Sequence, residues 1–77
     1  MSIDTRGLKE GTELHIWCTG MIGDFRAKVV GHSERHGGTA TLQVLDTETG
    51  EPHPKWHGHT LKGEDYIARS LWGEEPQ

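Results

Sequence analysis

The fold is decided by the stretch FRAKVVGHSERHGGTATLQVLD, residues 25–46. In residues 25–32 and again in residues 39–46, apolar side chains recur at every second position, which is the period of a half-buried β-strand. Gly37 and Gly38 lie between the two segments and supply the positive φ angles that a hairpin loop needs. The stretch therefore predicts two strands that pair antiparallel.

A third strand is predicted upstream of this hairpin. In residues 12–18, Leu14, Ile16 and Cys18 alternate with polar or aromatic side chains, so one face of the segment is apolar. Two glycines within residues 19–24 join the segment to the next strand. The three segments together predict an antiparallel meander.

The second half of the chain is less regular. Residues 46–52 are rich in turn formers, and Gly50 suits a left-handed backbone position within them. Residues 66–72 fit two structures, a strand or a short helix in which Ile67 and Leu71 lie one turn apart. We favour the strand, because a small barrel needs a segment that closes it.

These segments predict an all-β fold. Four or five short strands with eleven glycines in 77 residues indicate a small barrel or a curved antiparallel meander, with one short helical turn near the C-terminus as the variant. The length corresponds to a single domain over residues 1–77. We expect its ends, about residues 1–10 and 73–77, to be flexible.

The predicted meander also resembles a known family. The segments GTELHIWC, GDFRAKVVGH and ATLQVLD look like the SH3-like barrels of the Tudor and KOW kind, over about residues 11–46. Those modules have a glycine-led first strand, then a strand of the form aromatic, basic, Ala, basic, Val, and then a strand that ends in an acidic residue. The resemblance implies an SH3-like barrel that binds protein or nucleic acid. The matching residues are Gly11, Phe25, Arg26, Ala27, Lys28, Val29 and Asp46.

The composition indicates a small domain with a thin core. Only 31% of the residues are apolar, so pairing with a second copy would add burial, and a homodimer stays open as an alternative to a monomer. Cys18 is the single cysteine, which excludes an internal disulfide and favours a reducing cytoplasm. No uninterrupted apolar run exceeds three residues, so we expect no membrane partner.

The net negative charge comes entirely from the second half of the chain. The net charge is −4, with five acids and five bases in residues 1–38 but seven acids and three bases in residues 39–77. This net negative charge argues against nucleic-acid binding as the main function, because non-specific binding to phosphate backbones depends on summed positive charge. One alternative function is therefore a small regulatory subunit that docks its acidic second half onto a basic partner.

A histidine cluster in HPKWHGHT, residues 53–60, raises the question of a metal. His53, His57 and His59 have spacings of four and two residues, and three imidazoles with an open fourth position suit zinc. A proline and a glycine within the stretch make its backbone irregular, which opposes such a site. We therefore keep a zinc-binding protein as the alternative hypothesis and expect no cofactor otherwise.

The sequence offers no recognisable catalytic centre. Cys18 shares its strand face with Leu14 and Ile16, and buried cysteines commonly behave as small hydrophobes. The three serines lie outside any nucleophile elbow, and no glycine loop has the strand and helix context that phosphate binding requires. We therefore expect a protein that is not an enzyme.

The most informative residues for function are two tryptophans. Trp17 lies on the face opposite the apolar residues of its strand, and a partly exposed tryptophan is a candidate binding anchor. Arg26 and Lys28 on the neighbouring strand, together with Trp56 and His57, would make an aromatic and basic surface. Our leading hypothesis is a binding module for a protein partner, with single-stranded nucleic acid as the alternative. The other possibility is that Trp17 covers the open end of the barrel and that Trp56 and Trp72 pack beneath loops.

Overall fold

The computed structural model describes residues 3–20, 23–56 and 58–74 and shows an all-β chain. Five antiparallel strands form one open sheet in the order β4-β3-β2-β1-β5, which confirms the predicted fold class. Within the described residues, no helix is long and apolar enough to cross a membrane. The strands are β1 (Glu13–Cys18), β2 (Asp24–Ser33), β3 (Thr39–Leu45), β4 (Thr60–Leu61) and β5 (Tyr66–Leu71).

The β2–β3 hairpin forms where the alternating pattern predicts it. Val29 pairs with Leu42 on the core side, and a bulge between Val29 and Gly31 shifts the register farther along the hairpin. A short 3-10 turn, Glu34–His36, connects the two strands and ends at Gly37, which has a φ of 72°. The glycine pair therefore has the left-handed backbone that the sequence predicts.

The last strand settles the ambiguity of residues 66–72. β5 pairs antiparallel with β1, with Cys18 opposite Tyr66 and Ile16 opposite Ala68. Burying Tyr66 and Ala68 against the core requires the alternation of a strand, so the alternative of a short helical turn near the C-terminus is wrong. Among the described residues the helical turn lies instead at Glu34–His36, in the hairpin loop.

The core occupies one face of the sheet. Its largest fully buried side chains include Leu14, Ile16, Val29 and Leu42, each at most 1% exposed. Ile3, Leu8, Phe25, Leu61 and Leu71 pack against this core from its edges.

Hydrogen bonds through two side chains bridge β3 and β5, which are not neighbours in the order of the sheet. The backbone N–H of Ala40 donates to Thr5 Oγ1 at 3.0 Å, and the Tyr66 hydroxyl donates to the Ala40 carbonyl at 2.6 Å. Thr5 Oγ1 lies 3.3 Å from the Tyr66 hydroxyl oxygen. Because the single hydroxyl hydrogen of Tyr66 is already bonded to the Ala40 carbonyl, the Thr5 hydroxyl is the donor in this third hydrogen bond. The three groups thus form a closed ring of hydrogen bonds, which we call the Thr5 clasp.

The clasp gives part of the N-terminal segment a packed position. Thr5 is buried, and the backbone N–H of Ile3 donates to the carbonyl of Ala68 on β5 at 2.8 Å. Residues 3–5 therefore lie between β3 and β5 and bond to both strands. No local pattern in this polar stretch predicts the burial of Thr5. The flexible ends expected at about residues 1–10 and 73–77 stay predictions, and residues 1–2 and 75–77 lie outside the described residues.

The β3–β4 connection, residues 46–59, begins with a tight turn. Asp46 Oδ1 accepts hydrogen bonds from the backbone N–H groups of Glu48 and Thr49, at 2.8 and 3.2 Å. Gly50 closes the turn with a φ of 77°, the left-handed conformation expected of it. The turn returns the chain along β3, and the remainder of the connection carries Trp56 to the end of the sheet.

Candidate functional site

The predicted contact residues lie on two different faces. On β1, Trp17 is half-buried on the side of the sheet opposite Leu14, Ile16 and Cys18, which we call the outer face. Trp56 instead lines a cleft together with Cys18, a residue of the core side. The structure therefore does not bring the two tryptophans together on one sheet face.

Trp17 lies at the centre of a row across three strands. In the register of the sheet it is opposite Asp24 on β2 and Ile67 on β5. The side chain of Ile67 is 43% exposed, one of the two most exposed large apolar residues described. Arg69 Nη1 lies 3.9 Å from Asp24 Oδ1, so an ion pair spans β1 near Trp17.

Arg26 is engaged within the molecule. Its Nε donates to Glu13 Oε1, and its guanidinium carbon lies 5.0 Å from the ring centroid of Trp72. Gly50 packs against the same guanidinium, because a Cβ added there would lie 3.1 Å from it. Lys28 is exposed and lies opposite Glu13 in the register. Of the two basic residues predicted for the contact surface, only Lys28 extends into solvent.

Trp56 lines an open cleft at the end of β1. The cleft has a volume of about 300 Å³ and a mainly apolar lining. Gln43 Nε2 donates to the Trp56 carbonyl at 3.3 Å, which ties the connection to β3. We call this site the Trp56 cleft, and it is lined by Cys18, Thr19, Gly20, Trp56, Leu61 and Asp65.

The polar chemistry of the Trp56 cleft comes from Asp65. Asp65 Oδ2 accepts the backbone N–H of Lys62 at 3.1 Å, and the Asp65 carbonyl accepts the backbone N–H of Thr19 at 3.0 Å. Burial, and secondarily the Asp65 carboxylate, raise the pKa of the Cys18 thiol to about 11. Cys18 is therefore a neutral, apolar wall of the cleft at pH 7, and Asp65 is its anionic group.

The indole of Trp56 already contacts an ammonium group and an imidazole ring of this chain. Lys55 Nζ lies 5.4 Å from the ring centroid, and the His59 ring meets the indole edge-on at 5.3 Å. The ring therefore attracts a positive charge within this protein itself.

The histidines predicted as metal ligands contact different partners. The His53 ring meets Phe25 edge-on at 6.2 Å, and its Nδ1 accepts the backbone N–H of Lys55 at 3.1 Å. His59 contacts Trp56, and His57 lies outside the described residues. Across residues 3–20, 23–56 and 58–74, no three His, Cys, Asp or Glu side chains lie close enough to hold a metal ion. A zinc site that includes His57 stays a prediction.

Of the residues that line the Trp56 cleft, the sequence predicted only Trp56 as a contact residue. Leu61 and Asp65 line the Trp56 cleft, and Trp72 covers Arg26. The aromatic character of Trp72 was a signal, but its place over β1 and β2 depends on a bulge in the pairing of β1 with β5. Asp65 carried no local signal, because a carboxylate near a turn is ordinarily solvated.

The Asp46 turn makes the stability of the connection depend on pH. The N–H groups of Glu48 and Thr49 lower the pKa of Asp46 below its usual value. The stabilisation from Asp46 is therefore fully present at pH values above its pKa in the unfolded chain. It is lost as pH falls through the lower pKa that Asp46 has in the folded protein. We expect Asp46→Asn to lower the urea midpoint at pH 7, with a gap to wild type that narrows in acid. Glu48→Gln is the matched control, and an Asp46→Asn gap that stays constant with pH would contradict this account.

Comparison with known proteins yields no match among protein-family models, curated proteins or solved structures.

Proposed function

We propose that this protein is a non-enzymatic binding module that takes up a basic segment of a protein partner at the Trp56 cleft. The observation that carries the proposal is an apolar cleft of about 300 Å³ that combines one indole with one carboxylate, Asp65. Concave apolar sites with a few polar groups are the usual form of binding sites. The Cys18 thiol is neutral, so the cleft offers no activated nucleophile.

A lysine or arginine side chain fits this chemistry better than a wholly apolar one. Such side chains bury an alkyl stem along apolar surface and keep a charged head at the polar end. In the Trp56 cleft the stem would lie on Trp56 and Leu61, and the head would face Asp65. The indole adds attraction for the cation, as its contact with Lys55 illustrates.

The charge of the chain favours the same partner. Three of the lining residues, Trp56, Leu61 and Asp65, come from residues 39–77, which hold seven acids and three bases. This region would steer a basic segment toward the cleft. It also accommodates the idea of a small subunit that docks through its acidic half.

Single-stranded nucleic acid is the less favoured partner. Arg26 is held by Glu13 and Trp72, and the net charge is −4, so little positive charge remains to neutralise phosphates. Binding to nucleic acid would weaken steeply with added salt. The steepness of this salt dependence would increase with the number of phosphates contacted.

The proposal is tested by selecting ligands from a random peptide library displayed on phage. We expect the selected peptides to carry lysine or arginine, and to bind Trp56→Ala at least about tenfold more weakly, as for a central aromatic anchor. Asp65→Asn should weaken binding as well, because it removes the charge and keeps the shape. Affinities would be measured by isothermal titration calorimetry on synthetic copies of the selected peptides.

The matched controls are Trp17→Ala, a tryptophan on the opposite face, and Glu48→Gln, an acid in the turn that begins the connection. Neither should change peptide affinity. Selected peptides that bind Trp56→Ala as tightly as wild type would overturn the proposal, as would selection of acidic peptides. Steeply salt-dependent binding of a single-stranded oligonucleotide, mapped to Trp56 by NMR, would assign the cleft to nucleic acid instead.

A further inference from the structure

The carboxylate of Asp65 in the Trp56 cleft is held in place by hydrogen bonds on both sides. The backbone N–H of Asp65 donates to the Lys62 carbonyl at 2.8 Å, and Asp65 Oδ2 accepts the backbone N–H of Lys62 at 3.1 Å. The Asp65 carbonyl accepts the backbone N–H and the hydroxyl of Thr19, at 3.0 and 3.2 Å. These bonds fix Asp65 against the end of β1, and they already engage one of its two carboxylate oxygens.

We infer that this arrangement makes the Trp56 cleft specific for lysine over arginine. The inference rests on the function proposed above, because it concerns the basic side chain that the cleft takes up. It goes beyond that function, which either of the two side chains would satisfy.

An arginine needs more of the carboxylate than Asp65 has free. A guanidinium pairs with a carboxylate most strongly as a planar fork, with two parallel N–H donors on the two oxygens. At Asp65 one of these oxygens receives the N–H of Lys62. A bidentate arginine would compete with this bond, and the backbone N–H of Lys62 would lose its partner.

A lysine needs only the oxygen that remains. Its ammonium is a compact point charge with three donors, so a single contact with Asp65 Oδ1 is sufficient. Thr19 Oγ1 offers a second acceptor, because its own hydrogen is bonded to the Asp65 carbonyl. Since hydrogen bonds fix both groups before a ligand arrives, binding requires little further ordering of the protein.

The indole does not reverse this preference. A guanidinium stacks on aromatic rings, which an ammonium does not. In the Trp56 cleft, however, Lys55 Nζ already lies 5.4 Å from the ring centroid, and the His59 ring meets the indole edge-on. A guanidinium stacked on the same ring would be repelled by Lys55. A lysine instead lays its alkyl stem on the indole and directs its charge toward Asp65.

The test exchanges one residue in the peptides selected for binding to the cleft. In each synthetic peptide we define the anchor as the basic residue whose replacement by alanine makes wild type and Trp56→Ala bind equally. Versions with lysine, arginine and norleucine at the anchor are compared by isothermal titration calorimetry. We expect lysine to bind at least about fivefold more tightly than arginine, the low end of the effect of leaving one donor unpaired. Norleucine keeps the stem without the charge and should bind more weakly than lysine.

Two variants of the protein connect the preference to Asp65. Asp65→Asn should bring the ratio of the lysine and arginine affinities close to one, because the charge that distinguishes the two heads is removed. Glu64→Gln is the matched control and should leave the ratio unchanged. It removes a neighbouring acid that lies 2.7 Å from His36 Nδ1 and does not line the cleft. The ratio compares two peptides on the same variant, so a loss of stability common to both does not change it.

The outcomes separate this inference from the function on which it rests. Arginine peptides that bind wild type as tightly as their lysine versions would overturn the inference and leave the proposed function in place. A preference for lysine that persists in Asp65→Asn would do the same. Peptides whose affinity is unchanged in Trp56→Ala would instead overturn the proposed function, and the inference with it.

Discussion

Replacing Tyr66 by phenylalanine should destabilise this protein by about 1–3 kcal/mol, although the substitution removes one oxygen atom and leaves the ring in the core. The Tyr66 hydroxyl donates to the Ala40 carbonyl and accepts from Thr5 Oγ1, and all three groups are buried. Without it, the Ala40 carbonyl loses its partner in the gap between β3 and β5. For a domain of this size the expected loss is a large part of a total of roughly 4–12 kcal/mol.

A double-mutant cycle with Thr5→Val tests whether the Thr5 clasp acts as a unit. Each single substitution opens the same ring of hydrogen bonds, so the two losses should sum to more than the loss in the double variant. Thr47→Val, in the exposed turn after β3, is the matched control and should stay within about 0.5 kcal/mol of wild type. The measurement is urea unfolding followed by tryptophan fluorescence. If Tyr66→Phe were as stable as wild type, the hydrogen bonds of the Thr5 clasp would not stabilise the contact between β3 and β5.

Short-range patterns predicted the strands because each strand has one buried face. The alternation over residues 12–18, 25–32 and 39–46 matches β1, β2 and β3 to within a residue or two. It worked because a strand that is half-buried must alternate. β4 has only two residues, too few for any period, and therefore gave no signal.

The parts that were not predictable depend on contacts between distant residues. Thr5 meets Ala40 and Tyr66 across sequence separations of 35 and 61 residues, and no local pattern marks a threonine for that role. The same holds for the site. Trp56 was predicted as a contact residue from its residue type alone. Its neighbour Asp65 was not predicted, because the two residues line one cleft only after the ends of β1 and β4 come together in the fold. Arg26 was assigned to the contact surface because its strand face was known but its partner Trp72 was not.

Gly63 is a further case of a long-range contact, and Gly63→Ala should cost about 1–3 kcal/mol, the range for overpacking. A Cβ added at Gly63 would lie 2.2 Å from Thr39 Oγ1 and 2.9 Å from Thr39 Cβ. Rotation of the threonine does not relieve the second clash, and it would break the hydrogen bond from Thr39 Oγ1 to the His36 carbonyl at 2.9 Å. The loop before β5 must therefore move away from the start of β3.

The Gly63 contact is isolated by one control and one second-site change. Gly7→Ala is the control, because no atom lies within 4 Å of its added Cβ, and it should be neutral or slightly stabilising. Thr39→Ala removes the closer of the two clashing atoms, so Gly63→Ala should cost less in that background than in wild type. Because Gly63 and Tyr66 belong to the same short segment, movement of the loop should also strain the Thr5 clasp. The Gly63→Ala and Tyr66→Phe losses are then less than additive, and strict additivity would place the two contacts in independent parts of the fold.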